Sequence, residues 1–304
     1  MKRKISIAIG AFQREYGDMK ALEIAKEAGA DAVDFDTSSE EWDYRNPDSI
    51  FSKSDDEIVE YFTALKRRAE ELGIEIGQTH GRITGFKNIK EEDEALIKNA
   101  RLDCLATSVL GAPVCVMHSV TTIFMGPDAA PELMHKLNFD MFSRIMEFAK
   151  LYNIKIATET FGDAVCYDCC DFFGNINELL MAYNKICEID DYADYFTICV
   201  DTGHSNKASR FNNNPTPGDV IRMLGKNVTV LHLNDNDKMT DQHKIPLSGT
   251  IDWDDVFDAL DEIGYNGIYN MELVLGCFGD EIKKDTAAFA VKVMRNILDK
   301  RYRE

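Results

Sequence analysis

Four apolar runs in this 304-residue chain each end in an ionisable side chain, and their spacing limits the fold more than any other feature. Ile154-Lys155-Ile156-Ala157-Thr158 runs into Glu159. Cys199-Val200 delivers Asp201 42 residues later, and Val228-Thr229-Val230-Leu231 delivers His232 after another 31. Ile268-Tyr269-Asn270-Met271 then reaches Glu272, 40 residues beyond His232. Each interval has room for one strand and one helix. A parallel sheet needs such crossovers, whereas antiparallel strands can be joined by tight turns.

The same alternation fills the rest of the chain. A first strand is expected over Lys4 to Ala11, with Ile5, Ile7 and Ile9 on one face. Asp31 to Asp36 reads as the second strand, Ile74 to His80 as the third and Pro113 to His118 as the fourth. Helices are expected at about Met19 to Ala28, Asp55 to Leu72, Glu91 to Val109, Phe139 to Leu151, Ile176 to Ile186, Gly218 to Leu224, Trp253 to Ile263 and Glu281 to Asp299. Ser54 and Glu57 form a capping-box pattern, and Gly73 and Gly111 are placed to stop helices. Gly203 is read as the break after the sixth strand. The long polar segment from Thr37 to Ser54 is expected to serve the mouth; Trp42 and Phe86 suit either a lid or simple packing. No linker divides these units. Eight units in this length point to a (β/α)8 barrel forming one domain over 1–304, with its chemistry at the carboxyl ends of the strands. There is no glycine-rich phosphate fingerprint after the first strand, which argues against dinucleotide binding.

Strands three to eight then end in His80, His118, Glu159, Asp201, His232 and Glu272. Two glutamates, an aspartate and an imidazole make a hard, mixed donor set suited to one divalent ion: Mn²⁺, Mg²⁺, Co²⁺ or Zn²⁺. Such an ion polarises a carbonyl and holds neighbouring hydroxyl oxygens, while Glu159 and Glu272 are placed to move protons on the adjacent carbon. Cys166, Cys169 and Cys170 lack a second ligand pair and read as plain thiols. The net charge of −19 disfavours nucleic acid and anionic membrane as partners. No export signal or membrane-length apolar run is present, so eight cysteines read as free thiols of a cytoplasmic protein.

Asp201-Thr202-Gly203-His204, His232-Leu233-Asn234-Asp235, His243 with Pro246, Gly249-Thr250-Ile251-Asp252-Trp253 and Met271-Glu272 resemble the sugar phosphate isomerase/epimerase family. That family lies within the xylose-isomerase-like barrel superfamily, which also holds the ketose 3-epimerases and endonuclease IV. The resemblance implies a sugar or sugar phosphate substrate, a metal held by Glu159, Asp201, His232 and Glu272, and epimerisation or isomerisation through an ene-diolate with the two glutamates as acid and base. It implies substrate contacts from His80, His118, His204, Lys238 and His243, and often a homo-oligomer. Two positions depart from the epimerase pattern: Val165 stands where a further Glu is usual, and Lys238 where an Arg is usual. Two alternatives accompany this reading. One is a polyol or inosose dehydratase. The other is a tri-zinc phosphodiesterase on abasic DNA, in which Asp241 and His243 would be further ligands.

Overall fold

The computed structural model describes residues 3–189, 191–211 and 214–302. Eight parallel strands form the central sheet: β1 (Ile5–Ala8), β2 (Ala32–Asp36), β3 (Glu75–His80), β4 (Val114–Met117), β5 (Lys155–Glu159), β6 (Phe196–Asp201), β7 (Val228–His232) and β8 (Tyr269–Met271). Seven of the junctions are regular ladders running β8–β1–β2 and on to β7. The ring closes between β7 and β8 by a single parallel bridge, Leu233 to Met271, with the Leu233 N–H donating to Asn270 O at 2.9 Å. A closed barrel leaves no exposed strand edge, and its helices cover the outer face.

The outer core is built by the amphipathic helices the sequence announces. Helix Asp55–Leu72 carries both arms of the Ser54–Glu57 capping box and ends at Gly73 in the left-handed conformation. It buries Ile58, Phe62, Leu65 and Ala69. Against Phe62 pack Trp42, Phe35 and Phe51, so Trp42 belongs to the core and is no lid; Phe86 is buried likewise. The long segment after β2 is thereby pinned down by aromatic burial.

Four expectations change. The first strand stops at Ala8, and Gly10 opens a helix to Tyr16. Gly10 is required there because a Cβ would stand 2.5 Å from Asp36 Oδ2. The helix expected from Phe139 begins two turns earlier, at Pro131, a residue whose fixed φ suits a first helical turn. A short helix, Thr122–Met125, follows β4. Finally, Gly203 breaks nothing: it lies inside helix Thr202–Ala208, whose N-cap is Asp201. Its missing side chain serves close packing, since a Cβ would fall 2.0 Å from Asn234 Oδ1. Among the described residues no helix is long and apolar enough to cross a membrane.

Candidate metal and acid–base site

The carboxyl ends of β3 to β8 converge on one point. Glu159, 1% exposed, is its centre. Its Oε2 lies 3.2 Å from His118 Nε2, 3.3 Å from His232 Nδ1 and 3.6 Å from His80 Nε2; its Oε1 lies 3.2 Å from His204 Nδ1. Glu272 approaches from β8, with Oε2 3.2 Å from the same His232 Nδ1. Asp201 is fixed on both sides: Oδ1 accepts from the His204 N–H at 2.6 Å, and Oδ2 accepts from Asn234 Nδ2 at 2.7 Å. One ligand atom each from Glu159, Asp201, His232 and Glu272 fits within 4.8 Å of the others.

The same spacing holds for His80, His118 and Glu159, and for Asp201, His204 and His243. Asp241 joins the last group, with Oδ2 3.5 Å from His204 Nε2 and 3.4 Å from His243 Nε2. Of the candidate site residues, Lys238 alone stays apart. It lies on the loop after β7 with a positive φ, its N–H donating to Asn236 Oδ1.

Charge at this point is tightly coupled. Burial works to raise the Glu159 carboxyl, but the imidazoles of His232, His118 and His204 outweigh it and hold the acid well below the usual carboxylate range. Glu272 is held low in the same way by His232 and His243. Burial would lower His80 and His243, yet each is pushed up to about 9: His80 by Glu159 and Glu272, His243 by Asp241, Glu272 and Asp201. Burial prevails at His118, whose pKa falls, and at Asp201, whose pKa rises.

A divalent cation fits this arrangement. Both oxygens of Glu159 and Nδ1 of His232 are buried without a well-directed hydrogen bond. Buried polar atoms of a carboxylate rarely stay without a partner. They face one another beside two further carboxylates, a donor set of the kind that holds hard or borderline divalent ions.

Sequence reading missed the layer behind this site. Asp34, 1% exposed on β2, places Oδ2 3.3 Å from His232 Nε2. The same oxygen accepts from Gln78 Nε2 at 2.9 Å and from Asn270 Nδ2 at 3.1 Å. A carboxylate at Nε2 favours a proton there, so an ion held between Glu159 and Glu272 would take the Nδ1 lone pair. The available signal was a lone charged residue inside the apolar run Ala32-Val33-Asp34-Phe35. Glu272, 26% exposed, and His80 open onto a cavity of about 260 Å³.

The model of the family described as xylose isomerase-like TIM barrel matches residues 22–296. Among curated proteins, uncharacterised y4fM of Sinorhizobium fredii is 27% identical over 179 residues, covering 58% of this chain and 51% of its own length. Inosose isomerase of Bacillus subtilis is 25% identical over 170 residues, 54% of either chain. The matched stretch thus spans about half the length of these relatives. A D-tagatose 3-epimerase-like protein superposes with a TM-score of 0.70 at 20% identity over 98% of this chain and 99% of its own. The IOLI protein with a bound zinc atom gives 0.70 at 19% over 98% of both. At these identities the structural likeness speaks for the fold.

Proposed function

This chain belongs to the xylose isomerase-like TIM barrel family, and on that premise we propose that it is a divalent-metal-dependent sugar or sugar phosphate isomerase or epimerase. One observation carries the reading: Glu159 and Glu272 flank His232 Nδ1 at 3.3 and 3.2 Å, one buried and one facing an open cavity. The names of its relatives, an inosose isomerase and a D-tagatose 3-epimerase-like protein, point the same way.

Glu159, Asp201, His232 and Glu272 would hold the ion. When bound, it would supply Lewis-acid polarisation of a substrate carbonyl and neutralise charge on adjacent oxygens. The chain's own groups move the proton. Glu272, which lines the cavity, is the carboxylate within first reach of a carbon-bound proton, and its depressed pKa keeps it ionised and able to accept. Glu159, on the other side of His232, would first take a proton from protonated His204, whose Nδ1 lies 3.2 Å from its Oε1, and pass it to the opposite face or to the neighbouring carbon. His80 and His204, both kept protonated by the carboxylates around them, are donors for substrate oxygens. Solvent-deuterium uptake into candidate ketoses, followed by NMR on metal-loaded protein, tests the reading. Glu272→Gln should abolish uptake; exchange at the wild-type rate in that variant would overturn the role.

A second reading, a phosphodiesterase of the endonuclease IV kind, is favoured by the three overlapping donor groups. Against it, the net charge is −19, the chain at and beyond the ends of the first two strands carries Asp18, Asp36, Glu40, Glu41 and Asp43, and Arg45 and buried Arg82 are paired with Asp43 and Asp103. Metal content separates the readings: one ion per chain supports the isomerase, whereas about three zinc ions with cleavage of abasic DNA would replace it.

A further inference from the structure

Two cavities open side by side at the mouth. The inner one, about 260 Å³, reaches Glu272 and His80. The outer one, about 380 Å³, lies between helix Gly10–Tyr16 and the long segment after β2, with Trp42 and Tyr61 in its wall. They share Gly10, Arg14 and Asp36. The partition between them is therefore the Arg14–Asp36 ion pair, 3.1 Å long. Asp36 is held in place by the Ser38 N–H at 2.7 Å, and only glycine at position 10 leaves room for its carboxylate. Arg14 is half exposed, so its guanidinium is available to either cavity.

Small-molecule sites commonly enclose about 300–1,000 Å³. The inner cavity lies just below that range and suits one small sugar. The outer cavity more than doubles the space, and its lining has a definite chemistry. Planar charged groups that pair with hydroxyls stand beside one exposed aromatic ring, Tyr61, of the kind that covers the apolar face of a sugar ring. A phosphate is poorly served there, because Asp18, Glu41 and Asp48 line the cavity and Lys53 donates to Pro47 O at 2.8 Å.

We infer that the site takes a ketose carrying a second, uncharged sugar unit, with the ketose in the inner cavity, the glycosyl group in the outer one, and Arg14 and Asp36 reading the junction. The inference rests on the isomerase reading and names its substrate class.

The test compares three probes on Mn²⁺-loaded protein: fructose, fructose 6-phosphate, and isomaltulose, which is fructose bearing a glucosyl group on O6. Deuterium uptake and saturation-transfer NMR are both read. Uptake into isomaltulose at least tenfold more efficient than into fructose supports the inference, as does an isomaltulose-to-fructose ratio that Arg14→Ala lowers about tenfold. Uptake into fructose or fructose 6-phosphate alone overturns it while leaving the isomerase reading standing. Saturation transfer to isomaltulose that Arg14→Ala weakens, without uptake into any probe, supports the extended cleft and places the failure on the reaction. Neither binding nor uptake of isomaltulose overturns it.

Discussion

Replacing Gly203 with alanine tests whether the local fold and the site are one structure. In an ordinary helix interior, Gly→Ala stabilises by about 1 kcal/mol. Here the new methyl would fall 2.0 Å from Asn234 Oδ1 and 2.9 Å from Asn236 Nδ2, both on buried side chains. Asn234 must turn away, and its 2.7 Å bond to Asp201 Oδ2 is lost with it. A hydrogen bond to a charged group is worth about 1.5–3 kcal/mol, and inserting a methyl into a packed interior costs about 1–3 kcal/mol. Set against the helix gain, the net loss is about 1.5–5 kcal/mol. Urea unfolding of wild type and variant with chelator present reads that difference, and a metal titration reads the freed Asp201 carboxylate as weaker binding. A Gly203→Ala/Asn234→Ala double variant removes the 2.0 Å overlap without restoring the lost bond, so it should regain part of the stability and none of the metal affinity. A Gly203→Ala protein as stable as wild type, with unchanged metal affinity, would refute the reasoning.

Asp34→Asn should lower metal affinity about 10–100-fold by releasing the His232 proton from Nε2; affinity within twofold of wild type would show that Asp34 serves only its bonds to Gln78 and Asn270. Ser54→Ala removes one arm of the capping box and should cost about 1 kcal/mol in urea unfolding, with no change in metal binding. Burial pushes the Asp103 carboxyl up to about 6, with Arg82 and Thr37 pulling it back. A folded pKa above the unfolded value of about 3.9 means that the folded state binds the proton more tightly. That contribution is full below about pH 4 and is lost as pH rises through about 6. Wild type should therefore lose stability relative to Asp103→Asn between pH 4 and 7; a difference that stays flat or grows in wild type's favour over that range contradicts the shift.

How much of this was legible depended on where each residue sits along its strand. Glu159, Asp201, His232 and Glu272 each follow an apolar run, and a parallel barrel brings all strand ends to one mouth, so periodicity alone placed them together. Asp34 lies inside its run. Reading it needed the inward register of β2, which shifts between Val33 and Asp34 against β3. Helix Gly10–Tyr16 hid for another reason: its N-cap, Ile9, makes no side-chain cap hydrogen bond, so no start signal precedes it. Pro131 is such a signal, and Met134, Leu137 and Met141 already carry helical apolar spacing behind it.

The helix after β6 shows most clearly why local reading failed. Glycine after a strand usually means a turn, yet Asp201 caps a helix that starts at Thr202. One Asp201 oxygen satisfies the first turn through the His204 N–H; the other is held by Asn234 from the loop after β7. The cap that starts the helix is thus also a member of the proposed ligand set, and it aims His204 at Glu159. A residue with both duties is invisible to propensity rules, which weigh one neighbourhood at a time. It also couples stability to ion binding: what loosens the cap should loosen the site, and an ion that engages Asp201 should tighten the helix.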